Sequence, residues 1–279
     1  MSEVKISAAE VKKLRDQTGA GMMDCKKALT EAEGDYEKAI DYLRKKGQKM
    51  AGKRADREAK EGVVIAVTSD NSKNGVVLRL SCETDFVSKN EDFINLAKSF
   101  ADTALKALPD TLEELNALTH DGTTIAEKCT EQIGVIGEKI EVSQYGKLES
   151  SGQVVPYIHM GYRAGVIVAL NQDGENAVEP GKNVAMQVAA MKPVALDKDG
   201  VDSDTIAREI EIGKDQARAE GKPEAMIEKI AMGKLNKFYK ERTLLNQAYV
   251  KDSKLNVAGY LQSIDKDLKV TAFKSIQLG

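Results

Sequence analysis

The residues from Thr18 to Leu29, TGAGMMDCKKAL, contain a spacing that is typical of nucleotide-binding loops. Gly19 and Gly21 form a Gly-x-Gly pair, which lets a backbone loop approach phosphate groups. Asp24, however, stands where the dinucleotide fingerprint needs its third glycine, and a helical pattern precedes the pair where the fingerprint needs a strand. We therefore interpret the two glycines as a sharp turn between helices, where the missing Cβ removes a steric clash.

A second stretch, Gly47–Arg54, approximates the phosphate-binding loop of P-loop proteins. Arg54 occupies the position at which Ser or Thr must bind magnesium, and the stretch again follows a helix. The only histidines are His120 and His159, which leaves little room for a histidine-based metal site or a serine–histidine–aspartate triad. We expect no directly bound nucleotide, no cofactor, no metal and no enzymatic activity.

Two apolar features indicate contact with another protein instead. Met22 and Met23 are adjacent at a tight turn, where neighbouring side chains diverge, so we expect at least one of them to be an exposed, flexible contact. The alternative is that both methionines belong to the core. Asp85 and Phe86 stand together between a strand and a helix, and by residue type alone Phe86 is expected to fold back as a core plug under that turn.

The composition excludes several classes of function. The chain has 279 residues, 42% hydrophobic and 30% charged, with a formal net charge of −3, which is typical of a globular protein with two or three modules. The slightly acidic balance and the absence of Trp argue against nucleic-acid binding. We recognise neither a signal peptide nor an apolar run of about 18 residues, so we expect no membrane association and a cytoplasmic location. Cys25, Cys82 and Cys129 are expected to be reduced thiols.

The apolar spacing predicts an N-terminal bundle of three short helices that ends near Gly47. Helix starts are predicted from capping residues: Ser7 with Glu10, Asp24, Asp35, and Ser88 with Glu91. The basic residues 44–60 are interpreted as a solvated helix extension or a linker. RNA binding by this stretch is an alternative, and it predicts an affinity that falls steeply with salt.

Two strand pairs, each followed by a long helix, are predicted within residues 63–82 and 154–170. Each of these helices ends at a proline, Pro109 or Pro193. This weak duplication indicates two similar α+β subdomains. The charged pattern of residues 201–240 predicts a projecting antiparallel helical hairpin.

The predicted fold class is therefore α+β, with a bundle, a duplicated core and an inserted hairpin. Strands at 244–250 and 270–273 are expected to return to the second subdomain. The expected domains are 1–54 for the bundle and basic linker, 55–148 for the first subdomain, 149–200 with 241–279 for the second, and 201–240 for the hairpin, which we expect to be a coiled coil.

Two motifs closely resemble the most characteristic motifs of the bacterial elongation factor Ts family. The first is Leu14-Arg15 with Thr18–Leu29, and the second is Thr84-Asp85-Phe86-Val87. Other segments are similar to the family in the same order: the strand pair with His159, Met191-Lys192-Pro193, Gly221-Lys222-Pro223 and Lys237-Phe238-Tyr239. The resemblance covers nearly the whole chain.

This resemblance implies a guanine-nucleotide exchange factor that binds elongation factor Tu, in its GDP-bound and nucleotide-free states, and promotes GDP release during translation. It implies a ubiquitin-associated-like bundle that packs on the GTPase domain, and a wedge near the magnesium site and switch region of the partner. The implied partner-binding residues are Arg15, Met22 and Met23 in the bundle, Thr84, Asp85, Phe86 and Val87 at the wedge, and His159 in the second subdomain.

One feature departs from the family pattern. The chain stops at Gly279, soon after its last predicted strand, whereas some family members continue into a C-terminal helix that also grips the partner. We expect that contact to be missing, while the bundle and the wedge remain. The alternative function is a non-catalytic adaptor with a ubiquitin-associated-like domain, which predicts no effect on GDP release.

Overall fold

A computed structural model of the chain describes residues 6–279 and shows a mixed α+β fold, as predicted. The first three helices are α1 (Ala8–Thr18), α2 (Met22–Glu31) and α3 (Tyr36–Arg54). Both halves of the predicted Ser7–Glu10 capping box are present, and Asp35 caps α3. The helices bury a small core made of Val11, Leu14, Ala20, Cys25, Ala28, Leu29, Ala32 and Ala39.

Two predictions about this bundle are wrong. Asp24 does not cap α2, because the helix begins at Met22 with Gly21 at its N-cap, and the Asp24 carboxylate pairs with Lys46 of α3 at 2.5 Å. The bundle does not end near Gly47 either, since α3 continues to Arg54. Residues 47–54 are therefore helical, a conformation that cannot wrap around a phosphate.

Five of the eight lysines and arginines of residues 44–60 make ion pairs within the protein, so this stretch is more than solvated charge. The pairs are Arg44–Glu131, Lys46–Asp24, Arg54–Glu83, Arg57–Glu83 and Lys60–Glu58. Of the two interpretations, helix extension or linker, the structure shows a helix extension as far as Arg54. The pairs of Arg44 with Glu131 and of Arg54 and Arg57 with Glu83 join it to the rest of the chain.

The middle of the chain forms the first sheet and its helices. In chain order the elements are β1 (Glu61–Thr68), β2 (Asn74–Cys82), α4 (Asp85–Ser88), α5 (Glu91–Ala107), α6 (Leu112–Ala117), β3 (Thr119–His120), β4 (Thr123–Thr124), α7 (Ile125–Ile136) and β5 (Glu141–Glu149). The sheet is antiparallel with strand order β1-β2-β5. The strand β5 was missed by the sequence analysis.

The second sheet and the hairpin follow. The elements are β6 (Gln153–Ile158), β7 (Ala164–Leu170), α8 (Glu175–Met191), α9 (Ser203–Ala219), α10 (Glu224–Arg242), β8 (Ala248–Tyr249), β9 (Asp252–Asn256), α11 (Val257–Ile264) and β10 (Val270–Gln277). The sheet has the order β10-β7-β6, and α9 and α10 form the predicted hairpin. Each sheet thus places the second strand of its hairpin in the centre. The domain boundaries remain a prediction.

Two further predictions about local structure are wrong. Ser88 and Glu91 do not form a capping box, because Ser88 closes the short helix α4 and Asn90 caps α5 by accepting from the N–H of Asp92 at 2.8 Å. The predicted strand at 244–250 is mostly a 3₁₀ turn at 244–246 followed by the two-residue strand β8. The helix α11 was not predicted.

The two sheets pack face to face, and helices cover their outer faces. Along β1, Val63 and Ile65 join a core with α5, whereas Val64 and Ala66 face the other sheet. The core between the sheets consists of Val64, Ala66, Val77, Val154, Ile167, Ala169, Ile276 and Leu278. On the far side, α8 and α11 cover the second sheet. Because both faces of β1, β2 and β7 are buried, their sequences are apolar at most positions.

The sheets approach each other so closely at two positions that only glycine fits there, Gly165 of β7 and Gly75 of β2. A Cβ at Gly165 of β7 would lie 2.7 Å from Cγ1 of Val64, and Cβ atoms do not approach other atoms that closely. A Cβ at Gly75 would lie 2.5 Å from Cγ1 of Val154 of β6, so both glycines limit how far apart the sheets must stay. In the part of the chain that the structure describes, no helix is both long and apolar enough to cross a bilayer.

The bundle is joined to the first sheet region by a close crossing of α3 over α7. Gly47 lies against Gly134, and a Cβ at Gly47 would come within 2.8 Å of the carbonyl oxygen of Thr130. Gly52, one and a half turns further along α3, has open space around it. The two glycines therefore have opposite expected responses to the same substitution.

We expect Gly47→Ala to lower the free energy of unfolding by about 1–2 kcal/mol, because overpacking outweighs the better helix propensity of alanine. Gly52→Ala is the matched control and should raise it by about 0.5–1 kcal/mol, since only the propensity changes. Urea unfolding followed by circular dichroism measures both. An equal stabilisation by the two substitutions would show that the helices do not pack this closely.

Candidate functional site

The turn that follows β2 displays Phe86 to solvent. The Phe86 side chain is 84% exposed, so the expectation that it is a core plug is wrong. Val87, the next residue, is half-buried and packs against the first core in its place. The reason is the short helix α4, which turns one of these two neighbouring side chains inward and the other outward.

The backbone of this turn is held by a carboxylate that the sequence analysis missed. Oε2 of Glu138 accepts hydrogen bonds from the N–H groups of Glu83 and Thr84, each at 3.0 Å. Its Oε1 accepts the hydroxyl of Thr84 at 2.6 Å. The interacting residues are more than fifty positions apart in the sequence, so no local pattern indicates the contact.

A second carboxylate, Glu83, anchors the same turn to other parts of the chain. It accepts hydrogen bonds from Arg54 of α3 at 2.6 Å and from the N–H of Lys139 at 2.7 Å. Burial alone would raise the pKa of Glu83, but the Lys139 N–H and the Arg54 guanidinium outweigh it and hold the pKa below its ordinary value. Glu83 is therefore a carboxylate at neutral pH.

Asp85 places a negative charge beside Phe86. Its Oδ2 accepts a hydrogen bond from Lys89 at 2.6 Å, and this bond lowers the pKa of Asp85. The side chain is 50% exposed, so the carboxylate stays accessible. Thr84 and Val87, on either side of Asp85 and Phe86, are both half-buried and attach the turn to the rest of the protein. The turn thus offers an ionised carboxylate next to an exposed aromatic ring.

Met22 and Met23 form a second exposed apolar surface. They are 58% and 74% exposed, so the expectation that at least one is exposed is confirmed. They lie in the first turn of α2 and not in a loop. Gly19, with φ of 68°, ends α1 and donates its N–H to the carbonyl of Arg15 at 2.8 Å. Arg15 is exposed in the last turn of α1, on the other side of this tight connection.

His159 lies in the exposed turn between β6 and β7. Its Nδ1 is 2.9 Å from the hydroxyl of Tyr157. The next residue, Met160, is 86% exposed and was missed by the sequence analysis, although a methionine after a strand was a usable signal. Arg163 at the end of this turn pairs with Glu61 at 3.5 Å.

The structure brings two of the three predicted surfaces to one end of the sheets. Glu61, which pairs with Arg163, lies opposite Cys82 in the sheet, and Cys82 precedes the Phe86 turn. The methionines of α2 belong to a separate region. Their helix is tied to α3 at Lys46, eight residues before the Arg54 contact with the Phe86 turn, which is about 12 Å of helix rise.

Comparisons with known proteins agree with the motifs. A family model described as Elongation factor TS matches residues 83–279. Curated proteins named elongation factor Ts are similar over almost the whole chain. Those from Christiangramia forsetii and Flavobacterium psychrophilum are 53% and 54% identical over 275 and 274 residues, which is 99% and 98% of this chain and 99% of each relative. The protein from Cytophaga hutchinsonii is 56% identical over 275 residues, 98% of this chain and 99% of its own. The chain therefore belongs to the elongation factor Ts family.

Proposed function

We propose that this chain is the guanine-nucleotide exchange factor of elongation factor Tu, and that Asp85 and Phe86 wedge into the partner near its magnesium site and switch region. Membership of the elongation factor Ts family supports the exchange role. The observation that carries the wedge is the 84% exposed Phe86 beside an ionised Asp85 on an anchored turn. Translation elongation in the cytoplasm is the setting that this proposal implies.

The energetics require more than Phe86. A factor accelerates release only if it binds the complex on the release path more tightly than the ground state. A thousandfold acceleration needs about 4 kcal/mol, whereas burying one phenylalanine supplies about 1.5–3 kcal/mol. The remaining free energy must come from one of two sources. Either Asp85 acts with Phe86 by disturbing the magnesium ion or its waters, or contacts elsewhere on the chain hold the partner.

Additional contacts are available on this molecule. Met22 and Met23 with Arg15 offer one apolar surface, on a bundle that we propose to be ubiquitin-associated-like. His159 and Met160 offer another, at the same end of the sheets as Phe86. Partner binding at these points would hold the GTPase in place while the wedge acts. We place the hairpin α9–α10 outside this surface.

We expect Phe86→Ala to reduce the acceleration of GDP release by about 10- to 100-fold, the kinetic value of burying one phenylalanine. Its free energy of unfolding should change by less than about 0.5 kcal/mol, since the ring is already exposed. Release of fluorescent GDP from elongation factor Tu, with catalytic amounts of the chain, measures the effect.

Ile264→Ala is the matched control for this experiment, because Ile264 is an exposed apolar residue on α11. It should leave the acceleration unchanged. If the wild-type chain does not accelerate GDP release at all, the exchange function is wrong and an adaptor is the remaining interpretation. If only Phe86→Ala is without effect, the wedge is wrong.

We expect Met22→Ser combined with Met23→Ser to weaken binding to elongation factor Tu by at least tenfold, because two exposed apolar contacts become polar. Met226→Ser with Met232→Ser is the matched control. Those methionines are 48% and 44% exposed on α10, and Met226 also lies in a first helical turn. Calorimetric titration gives both affinities, and thermal unfolding gives both stabilities. An equal loss of stability and affinity in the first variant would show that Met22 and Met23 are structural.

A further inference from the structure

We propose that Glu138 is a positioning residue for nucleotide exchange, because its carboxylate holds the backbone that displays Phe86. This inference rests on the proposed exchange function and deepens it. The two carboxylate oxygens of Glu138 accept three hydrogen bonds, from the N–H groups of Glu83 and Thr84 and from the Thr84 hydroxyl.

The Phe86 turn has few supports of its own. Helix α4 has four residues, and helices this short are not stable alone. Thr84 stands at its N-cap position, but the Thr84 hydroxyl is directed to Glu138. Phe86 itself is almost fully exposed, so its ring adds little packing. The direction of the ring is therefore set by Val87, which packs against the first core on one side, and by the residues just before α4 on the other.

The segments 83–84 and 138–139 hold each other's backbone in a reciprocal arrangement. The carboxylate of Glu138 accepts from the N–H groups of Glu83 and Thr84, while the carboxylate of Glu83 accepts from the N–H of Lys139 at 2.7 Å. Two chain segments are thus joined by charged hydrogen bonds in both directions. Charge-assisted bonds of this kind are about twice as strong as neutral ones.

Glu138 is mounted on a rigid part of the molecule. It follows α7, whose residues Ile125, Cys129 and Ile133 are buried in the first core. Gly137 ends the helix with φ of 83° and donates its N–H to the carbonyl of Ile133 at 2.9 Å. This left-handed residue turns the chain sharply, and Glu138 comes directly after it. The hydrogen bonds of Glu138 therefore attach the Phe86 turn to a helix that is packed in the core.

The matched control for Glu138 lies at the other end of the same helix. Glu127 accepts from the N–H of Thr124 at 2.8 Å and from its hydroxyl at 3.2 Å, so it makes the same kinds of bonds. It caps the start of α7, away from the Phe86 turn. Glu127→Ala and Glu138→Ala should both lower the melting temperature. Only Glu138→Ala should affect exchange.

The experiment measures fluorescent GDP release from elongation factor Tu at increasing concentrations of each variant. Glu138→Ala should lower the maximal release rate about tenfold, the factor that corresponds to freeing the backbone of about one residue. Its half-saturating concentration should change less than threefold, since the surfaces at Met22 and His159 are unaltered. Glu127→Ala should keep the wild-type maximal rate.

Two further measurements separate positioning from general destabilisation. Glu138→Gln should recover most of the rate, because an amide oxygen can accept both N–H groups and the amide NH₂ can donate to the Thr84 hydroxyl oxygen. Amide hydrogen exchange of Glu83 and Thr84 in the free protein should be faster in Glu138→Ala than in wild type or Glu127→Ala.

The positioning role is overturned if Glu138→Ala keeps the wild-type maximal rate, if Glu127→Ala loses as much, or if the two amides stay protected. A wild-type chain without any effect on GDP release overturns the proposed function instead, and the amide exchange then still decides whether Glu138 orders the turn.

Discussion

The burial of the central strands on both faces is the constraint on which the rest of the structure depends. Each sheet has three strands, one face against helices and the other against the second sheet. Val64 of β1 and Gly165 of β7 meet at a distance that admits no extra carbon atom. This packing limits the distance between the two sheets, and the pairing of Glu61 with Arg163 joins the Phe86 turn and the His159 turn at the same end. The packing of the core thus determines where the two turns lie that we assign to the partner-binding surface.

The exposed apolar residues are placed on supports that do not depend on their own burial. Phe86 stands on a turn that Glu83 and Glu138 hold through hydrogen bonds, and Met22 and Met23 stand on a helix tied to α3 by the pair of Asp24 and Lys46. Large exposed side chains on ordered backbone are typical of interaction sites. The backbone is already ordered before the partner binds, so binding loses less conformational entropy.

The sequence predicted the features that depend on neighbouring residues. Ser7 and Glu10 form their capping box within four residues, and the strand pair predicted within residues 63–82 forms as β1 and β2. Asp24 is not the cap that its residue type predicted, because a good capping residue also suits the first turn of a helix, where the dipole favours its charge. Which competing position such a residue takes is decided by a distant partner, here Lys46.

The remaining features depend on contacts between distant segments. The strand β5 is recognisable mainly through its pairing with β2, since its burial is irregular along the chain. Phe86 and Val87 are both apolar, and only the fold decides which of them faces the core. In the sequence, nothing distinguishes Glu138 from other surface carboxylates. Its hydrogen bonds to Glu83 and Thr84 are visible only in the structure. The motifs indicated where we place the candidate site, and the structure shows the groups that hold its backbone.

The claim that this chain promotes nucleotide exchange is most directly tested by its affinity for elongation factor Tu with and without GDP. Coupling between two ligands is reciprocal, so the factor by which GDP weakens binding of this chain must equal the factor by which the chain weakens binding of GDP. Calorimetric titration into nucleotide-free and GDP-bound elongation factor Tu should show tighter binding to the nucleotide-free form by that shared factor. Equal affinity for the two forms would contradict the account, because a factor that does not distinguish them cannot displace the nucleotide.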